Sequence, residues 1–156
     1  FADEVTVVEP GINAKMNEFQ AALGLLQLKY VEDYIAKRKA VAEIYRNELK
    51  NIKGIRVLED IPGVKHSYTY FPILIDEKIY GQSRDEVYGK LKKHNIYGRR
   101  YFYPLISRFP TYRGLPSANP ANLTVAEKIA EKVLCLPIFP ELEINVLRKI
   151  IHFLRY

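Results

Sequence analysis

The chain has 156 residues, 48% apolar and 27% charged, an ordinary globular balance and enough length for one domain with a proper core. No apolar run approaches the ~20 residues that span a bilayer. The stretch Phe1–Pro10 carries Asp3, Glu4 and Glu9 rather than the basic start and apolar block of a signal peptide. Cys135 is the single cysteine, which excludes an internal disulfide and fits a reducing, cytoplasmic compartment. With the histidines scattered at His66, His94 and His152, no zinc-ligand spacing arises. The net charge of +6 comes largely from helical stretches such as Lys37–Lys39 and Lys90–Lys93, mixed with acids. That is the pattern of solvated helix faces, so no nucleic-acid partner is expected, and without a spanning run no membrane is expected either. A positive surface also suits a small molecule that bears phosphate.

In chain order, Phe1–Pro10 reads as an extended lead-in continuing something earlier, with no initiator Met. A helical pattern runs from Ala14 to about Ile52, with Asn13 as N-cap. Met16, Phe19, Leu23, Leu26 and Tyr30 recur at helical steps, and Tyr34, Val41, Tyr45, Leu49 and Ile52 continue them. So long a stretch predicts two helices or one kinked helix, bending near Lys29–Asp33. Gly54 follows as a glycine past a helix C-terminus. Ile55–Leu58 is a short strand candidate, and Ser67–Ile75 a strong one in which Pro72 implies an edge strand or a bulge.

Ser83 with Glu86 forms a capping box opening a helix to about His94, with Val87 and Leu91 inward. Ile96–Tyr103 reads as a strand ended by Pro104. Leu105–Asn122, rich in proline, is a long ordered loop with one helical turn, of the kind that carries function. Thr124 with Glu127 suggests a second capping box and a helix to about Val133. Leu134–Phe139 is a short buried strand. Glu141 begins a last helix with Leu142, Val146, Ile150 and Phe153 on one face. The fold class expected is α/β, resembling a small α+β domain: a long N-terminal helix, then a small, mainly antiparallel sheet with helices packed on one face.

The residues alone give no catalytic constellation. Glycines are scattered singly, with no phosphate loop, no Gly-x-Ser-x-Gly and no telling His–carboxylate pair. Three stretches go further: GINAKMNEFQAALGLLQL over residues 11–28, RRYFYPL over 99–105 followed by FPTYR over 109–113, and VLCLPIFP over 133–140. The first resembles the pattern G-x-N-x-[KR]-M-x-E-x-Q-A-A-x-G-x-x-Q-L of the DegT/DnrJ/EryC1/StrS family of sugar aminotransferases, which have the fold type I architecture of aspartate aminotransferase. The second is similar to that family's substrate-loop pattern, and the third to its V-L-S-L-P-L-x-P.

The resemblance implies a pyridoxal 5'-phosphate enzyme. It would move an amino group, with glutamate as donor, onto the keto group of a nucleotide-linked deoxysugar for surface polysaccharide or another glycoconjugate. Such enzymes have a large domain that holds the cofactor through a Ser-x-His-x-x-Lys lysine, and a smaller domain that closes over the substrate. That lysine motif is missing from this sequence. Residues 1–30 are therefore expected to be a remnant of the large-domain and interface segment, and 31–156 the small domain, with no catalytic residue of their own and no activity alone. The parent is expected to be a homodimer with a shared site.

By the same resemblance, Asn13 reaches the cofactor phosphate of the neighbouring subunit and Lys15 adds positive charge near it. Glu18 and Gln20 could hydrogen-bond across the dimer, Glu18 otherwise gaining from the helix dipole. Arg99 and Arg100 would meet a diphosphate with their guanidinium forks, and Tyr101, Tyr103 and Tyr112 would face sugar or base. Phe102 stands where many members have His, so no role passes to it. A dehydratase of the same family, or a free-standing interaction module pairing through residues 14–28, are the alternatives.

Overall fold

The computed structural model describes residues 14–155. Asn13 and the lead-in Phe1–Pro10 lie outside the described residues. The chain divides into two compact units, Phe1–Glu32 and Asp33–Tyr156.

In the first unit, α1 (Glu18–Leu28) starts later than its apolar spacing predicts. Asn17, not Asn13, caps it: the Asn17 side chain accepts from the Gln20 N–H, and the Gln20 side chain accepts from the Asn17 N–H. Gln20 thus has a local task, and Glu18 sits in the first turn, where the helix dipole favours a carboxylate. Residues 14–17 are not helical. The break at Lys29–Tyr30 falls where the kink is expected, and α2 (Val31–Leu49) follows.

The second unit is built on a three-stranded antiparallel sheet in the order β1-β2-β3, with β1 Ile55–Val57, β2 Phe71–Ile75 and β3 Val133–Leu136. Phe71, Ile73 and Ile75 alternate into the core, as the period-2 geometry of a strand requires. On that face they meet Val41, Tyr45 and Leu49 of α2, Val87 and Leu91 of α4 (Arg84–Lys93), and Leu147, Ile150, Ile151 and Leu154 of α6 (Ile144–Arg155). Between β2 and α4 lies one extra turn, α3 (Glu77–Tyr80). Tyr45 stacks on Phe71 with ring centroids 4.8 Å apart and donates its hydroxyl to the Pro137 carbonyl at 3.0 Å. Burial pushes its phenol pKa up. The short helix α5 (Thr124–Lys132) leads into β3 and adds contacts to β2. The α/β class with a small antiparallel sheet and its principal helices on one face is as expected.

Several elements depart from the sequence pattern. Pro72 sits on the central strand, opposite Cys135. Cys135 gives both its N–H and its C=O to Arg99, at 2.7 and 2.9 Å. Pro72 and Cys135 therefore form a non-hydrogen-bonded pair, and the imide nitrogen points to the side of β1. There β1 has already ended, its last pair being Val57 with Ile73. Pro72 is locally at an edge inside a central strand. Residues 67–70 are not strand, because Tyr68 turns the backbone to φ +51°. The strand expected over Ile96–Tyr103 reduces to a single bridge, Arg99 to Cys135, after which the Tyr101–Phe102 and Tyr103–Pro104 peptides are cis.

The capping box of Ser83 and Glu86 forms as expected. That of Thr124 and Glu127 does not, because Thr124 is already the first helical residue and Leu123 occupies the cap. The 105–122 loop holds three 3-10 turns: Ile106–Arg108, Pro116–Ala118 and Pro120–Asn122. The last helix starts at Ile144 rather than Glu141; Leu142 and Ile150 are buried and Phe153 packs against the core as expected, while Val146 is exposed and Leu147, Ile151 and Leu154 complete the inward face. Among the described residues no helix is long and apolar enough to cross a membrane, and no cluster of ligating side chains could hold a metal ion.

Candidate active-site face

The second unit brings Arg99, Arg100, Tyr101 and Tyr103 together just beyond the Arg99–Cys135 bridge. Gly98 makes the close approach possible: a Cβ there would lie 3.1 Å from both the Cys135 carbonyl and the Leu134 side chain. The bridge fixes Arg99 at the rim of a cavity of about 350 Å³ lined by Tyr70, Tyr97, Cys135, Pro137 and Phe139 among others. Arg99 is exposed and donates through Nη1 to the Tyr101 hydroxyl. Tyr101 in turn meets Tyr70 edge-on, centroids 5.2 Å apart. A guanidinium and phenol rings around one cavity can hold an anion and a flat or apolar ring side by side.

Arg100 turns the other way. It donates to Asp85 Oδ1 at 2.8 Å and lies over the rings of Tyr88 and Tyr103, at 4.7 and 5.2 Å from their centroids. These contacts hold Arg100 against the start of α4. Tyr103 is held between this guanidinium and that of Arg84, whose carbon is 4.5 Å from the ring centroid. Tyr112 is exposed on the proline-rich loop, its N–H bonded to the Phe109 carbonyl at 2.9 Å, and it does not line the Arg99 cavity. Arg108 of the same loop is clamped to Glu127 at 2.7 Å.

Sequence reasoning missed four residues here. Tyr70 and Tyr97 were hidden inside predicted strands. Asp85 reads as an ordinary first-turn acid. Arg84 had a usable signal: it precedes Val87 and Leu91 at helical spacing, so it lies on their inward stripe. It is 3% exposed.

The described residues do not by themselves compose a pyridoxal-phosphate site. The sequence has no Ser-x-His-x-x-Lys. Of the two positions assigned to the cofactor phosphate, Asn13 lies outside the described residues, and Lys15 is exposed on the non-helical stretch ahead of α1.

Relatives give the face its context. The chain is 52% identical over 149 residues to a dTDP-4-amino-4,6-dideoxy-D-glucose transaminase of Escherichia coli, covering 96% of this chain and 40% of that protein. A transaminase of the same name from Shigella dysenteriae is 39% identical over 155 residues, covering 99% and 41%. The chain thus spans about two-fifths of the length of these relatives. Among solved structures, DesI in the presence of its TDP-sugar product superposes with a TM-score of 0.82 at 32% identity, covering 93% of this chain and 36% of that one. DesV of S. venezuelae, in complex with a ketimine intermediate, gives 0.78 at 26% identity, covering 98% of this chain and 39% of that one. The model of the DegT/DnrJ/EryC1/StrS aminotransferase family matches residues 2–155, and the chain belongs to that family.

Proposed function

We propose that this chain is the C-terminal part of a sugar aminotransferase that aminates the keto group of a dTDP-linked deoxysugar, with glutamate as amino donor. The observation that carries this is the 52% identity, sustained over 149 residues, to a transaminase named for dTDP-4-amino-4,6-dideoxy-D-glucose. The parent works as a homodimer in the cytoplasm. Pyridoxal phosphate supplies the electron sink for amino transfer when bound. This chain contributes Asn13 and Lys15 toward the cofactor phosphate. Arg99 takes a substrate phosphate, and Tyr101, with Tyr70 beside it, offers the sugar or base a ring face and a hydroxyl. Arg100 and Tyr103 serve this face by shaping it, and Tyr112 approaches substrate only from the loop. Alone, residues 1–156 bind no cofactor covalently and turn nothing over.

The test compares residues 1–156 with a longer protein carrying a Ser-x-His-x-x-Lys segment upstream. Each is given the cofactor, glutamate and a dTDP-linked 4-keto-6-deoxyhexose, and amino-sugar formation is followed by mass spectrometry. The longer protein is expected to form product and the short chain none. Arg99→Ala in the longer protein should raise KM for the sugar about tenfold, as loss of a charge-assisted hydrogen bond does. Turnover by the short chain would sink the division of labour, and an unchanged KM would remove Arg99 from the substrate. Loss of an amino or hydroxyl group without amination would mark a dehydratase.

A further inference from the structure

Arg84 is the one charged side chain buried among the described residues, and burial of a guanidinium is costly unless it is paired and hydrogen-bonded. Nη1 donates to the Ala130 carbonyl at 3.0 Å and to the Val133 carbonyl at 3.1 Å. These are carbonyls that the end of α5 and the start of β3 leave without helical partners. Nε lies 2.8 Å from Asp85 Oδ1, an ion pair by distance that lacks hydrogen-bond geometry. The flat guanidinium then lies against the Tyr103 ring, 4.5 Å from its centroid. Asp85 is shared: the same Oδ1 accepts from Arg100 Nη1 at 2.8 Å. Arg100 closes the circuit by lying over Tyr103 from its own side.

We propose that Arg84 is a positioning residue for the 99–103 segment. With Asp85 it ties that segment to the N-terminus of α4 and to the α5–β3 junction, and so keeps Arg99 at the rim of its cavity with Tyr101 beside it. The geometry accounts for why two adjacent arginines face opposite ways. Arg100 is drawn back onto Asp85, Tyr88 and Tyr103, while the bridge to Cys135 leaves Arg99 at the rim. Lysine could not replace Arg84, since an ammonium at the Nη1 position could serve the two carbonyls but would leave Asp85 without the Nε charge and Tyr103 without a flat group to stack on. The inference rests on the reading of residues 99–103 as substrate-binding, so its test separates the two.

The test uses the longer, cofactor-loaded protein with Arg84→Lys, Arg84→Met and, because burial makes those two costly, the exposed Asp85→Asn. Amide exchange is measured over residues 97–105, where the Arg99 N–H bonds to Cys135 and the Tyr103 N–H to Arg100. Steady-state kinetics are measured in parallel. Asp85→Asn should speed exchange of these amides about tenfold, the loss of one charge-assisted bond, and leave the α2 and α6 amides unchanged. KM for the nucleotide sugar should rise with kcat held within about twofold, because uniform binding is what is lost. Arg84→Lys should fall between the wild type and Arg84→Met. Unchanged exchange in a folded Asp85→Asn protein would overturn the positioning role. Faster exchange with an unchanged KM would instead overturn the assignment of residues 99–103 to the substrate.

Discussion

At the scale of single residues, two positions show how backbone and charge are tied to packing. Gly54 has φ +84°, and a Cβ there would sit 2.4 Å from the Tyr80 backbone nitrogen. Both the conformation and the space demand glycine. Gly54→Ala should cost at least about 1 kcal/mol, measured as a fall in urea midpoint at unchanged slope. Asp60 accepts from Arg46 at 2.6 Å and from the Tyr68 hydroxyl at 2.5 Å, holding down the loop before β2. The hydrogen bond from Arg46, then that from Tyr68, holds its carboxyl pKa below the usual range. A carboxylate whose pKa is lowered on folding releases its proton more readily folded than unfolded. Its stabilisation is therefore complete above the ordinary Asp value near ~3.9 and disappears as pH falls through the lower folded value. Asp60→Asn should destabilise the protein at pH 7, and the gap from wild type should close as pH is lowered through the acid range. Equilibrium unfolding at each pH reads it directly.

At the scale of elements, caps decide boundaries. Ser83 accepts from the Glu86 N–H at 3.2 Å and Glu86 returns the bond to Ser83 at 2.7 Å. Ser83→Ala should cost about 1 kcal/mol. Thr124 has the same spacing to Glu127 but makes no capping bond, so Thr124→Ala should stay within about 0.5 kcal/mol. Comparing the two thermal midpoints separates a capping box in sequence from one in space. Thr124 is already inside the helix, and Glu127 instead pairs with Arg108 on the loop, a partner that local spacing does not reveal. The same holds for the predicted strand at Ile96–Tyr103. Its aromatic and β-branched residues favour extension, yet only Arg99 finds a partner strand, and aromatic stacking and the Arg100–Asp85 pair claim the rest.

At the scale of the whole molecule, α1 buries none of its residues, and Phe19 is 88% exposed. With Leu23, Leu25, Leu26 and Leu28 also exposed, this is apolar surface that water disfavours. Residues 1–156 expressed alone should self-associate with rising concentration. Leu23→Lys with Leu26→Lys should shift the species toward monomer in sedimentation velocity, with the helical signal retained.

The sequence by itself determined the family, the α/β class, the three strands of the sheet, the break near Lys29–Asp33 and the Ser83 cap. Each is written in neighbouring residues, as periodicity, cap chemistry or a dense motif. Tertiary structure alone decided which of the adjacent Arg99 and Arg100 faces outward. It also decided that Pro72 is tolerated at the centre of a sheet, and that an arginine at the start of a helix lies in the core. These depend on groups remote in sequence: the Cys135 backbone, the end of β1, and the carbonyls of Ala130 and Val133. A local pattern carries no record of which distant donor or acceptor will be brought within hydrogen-bonding reach.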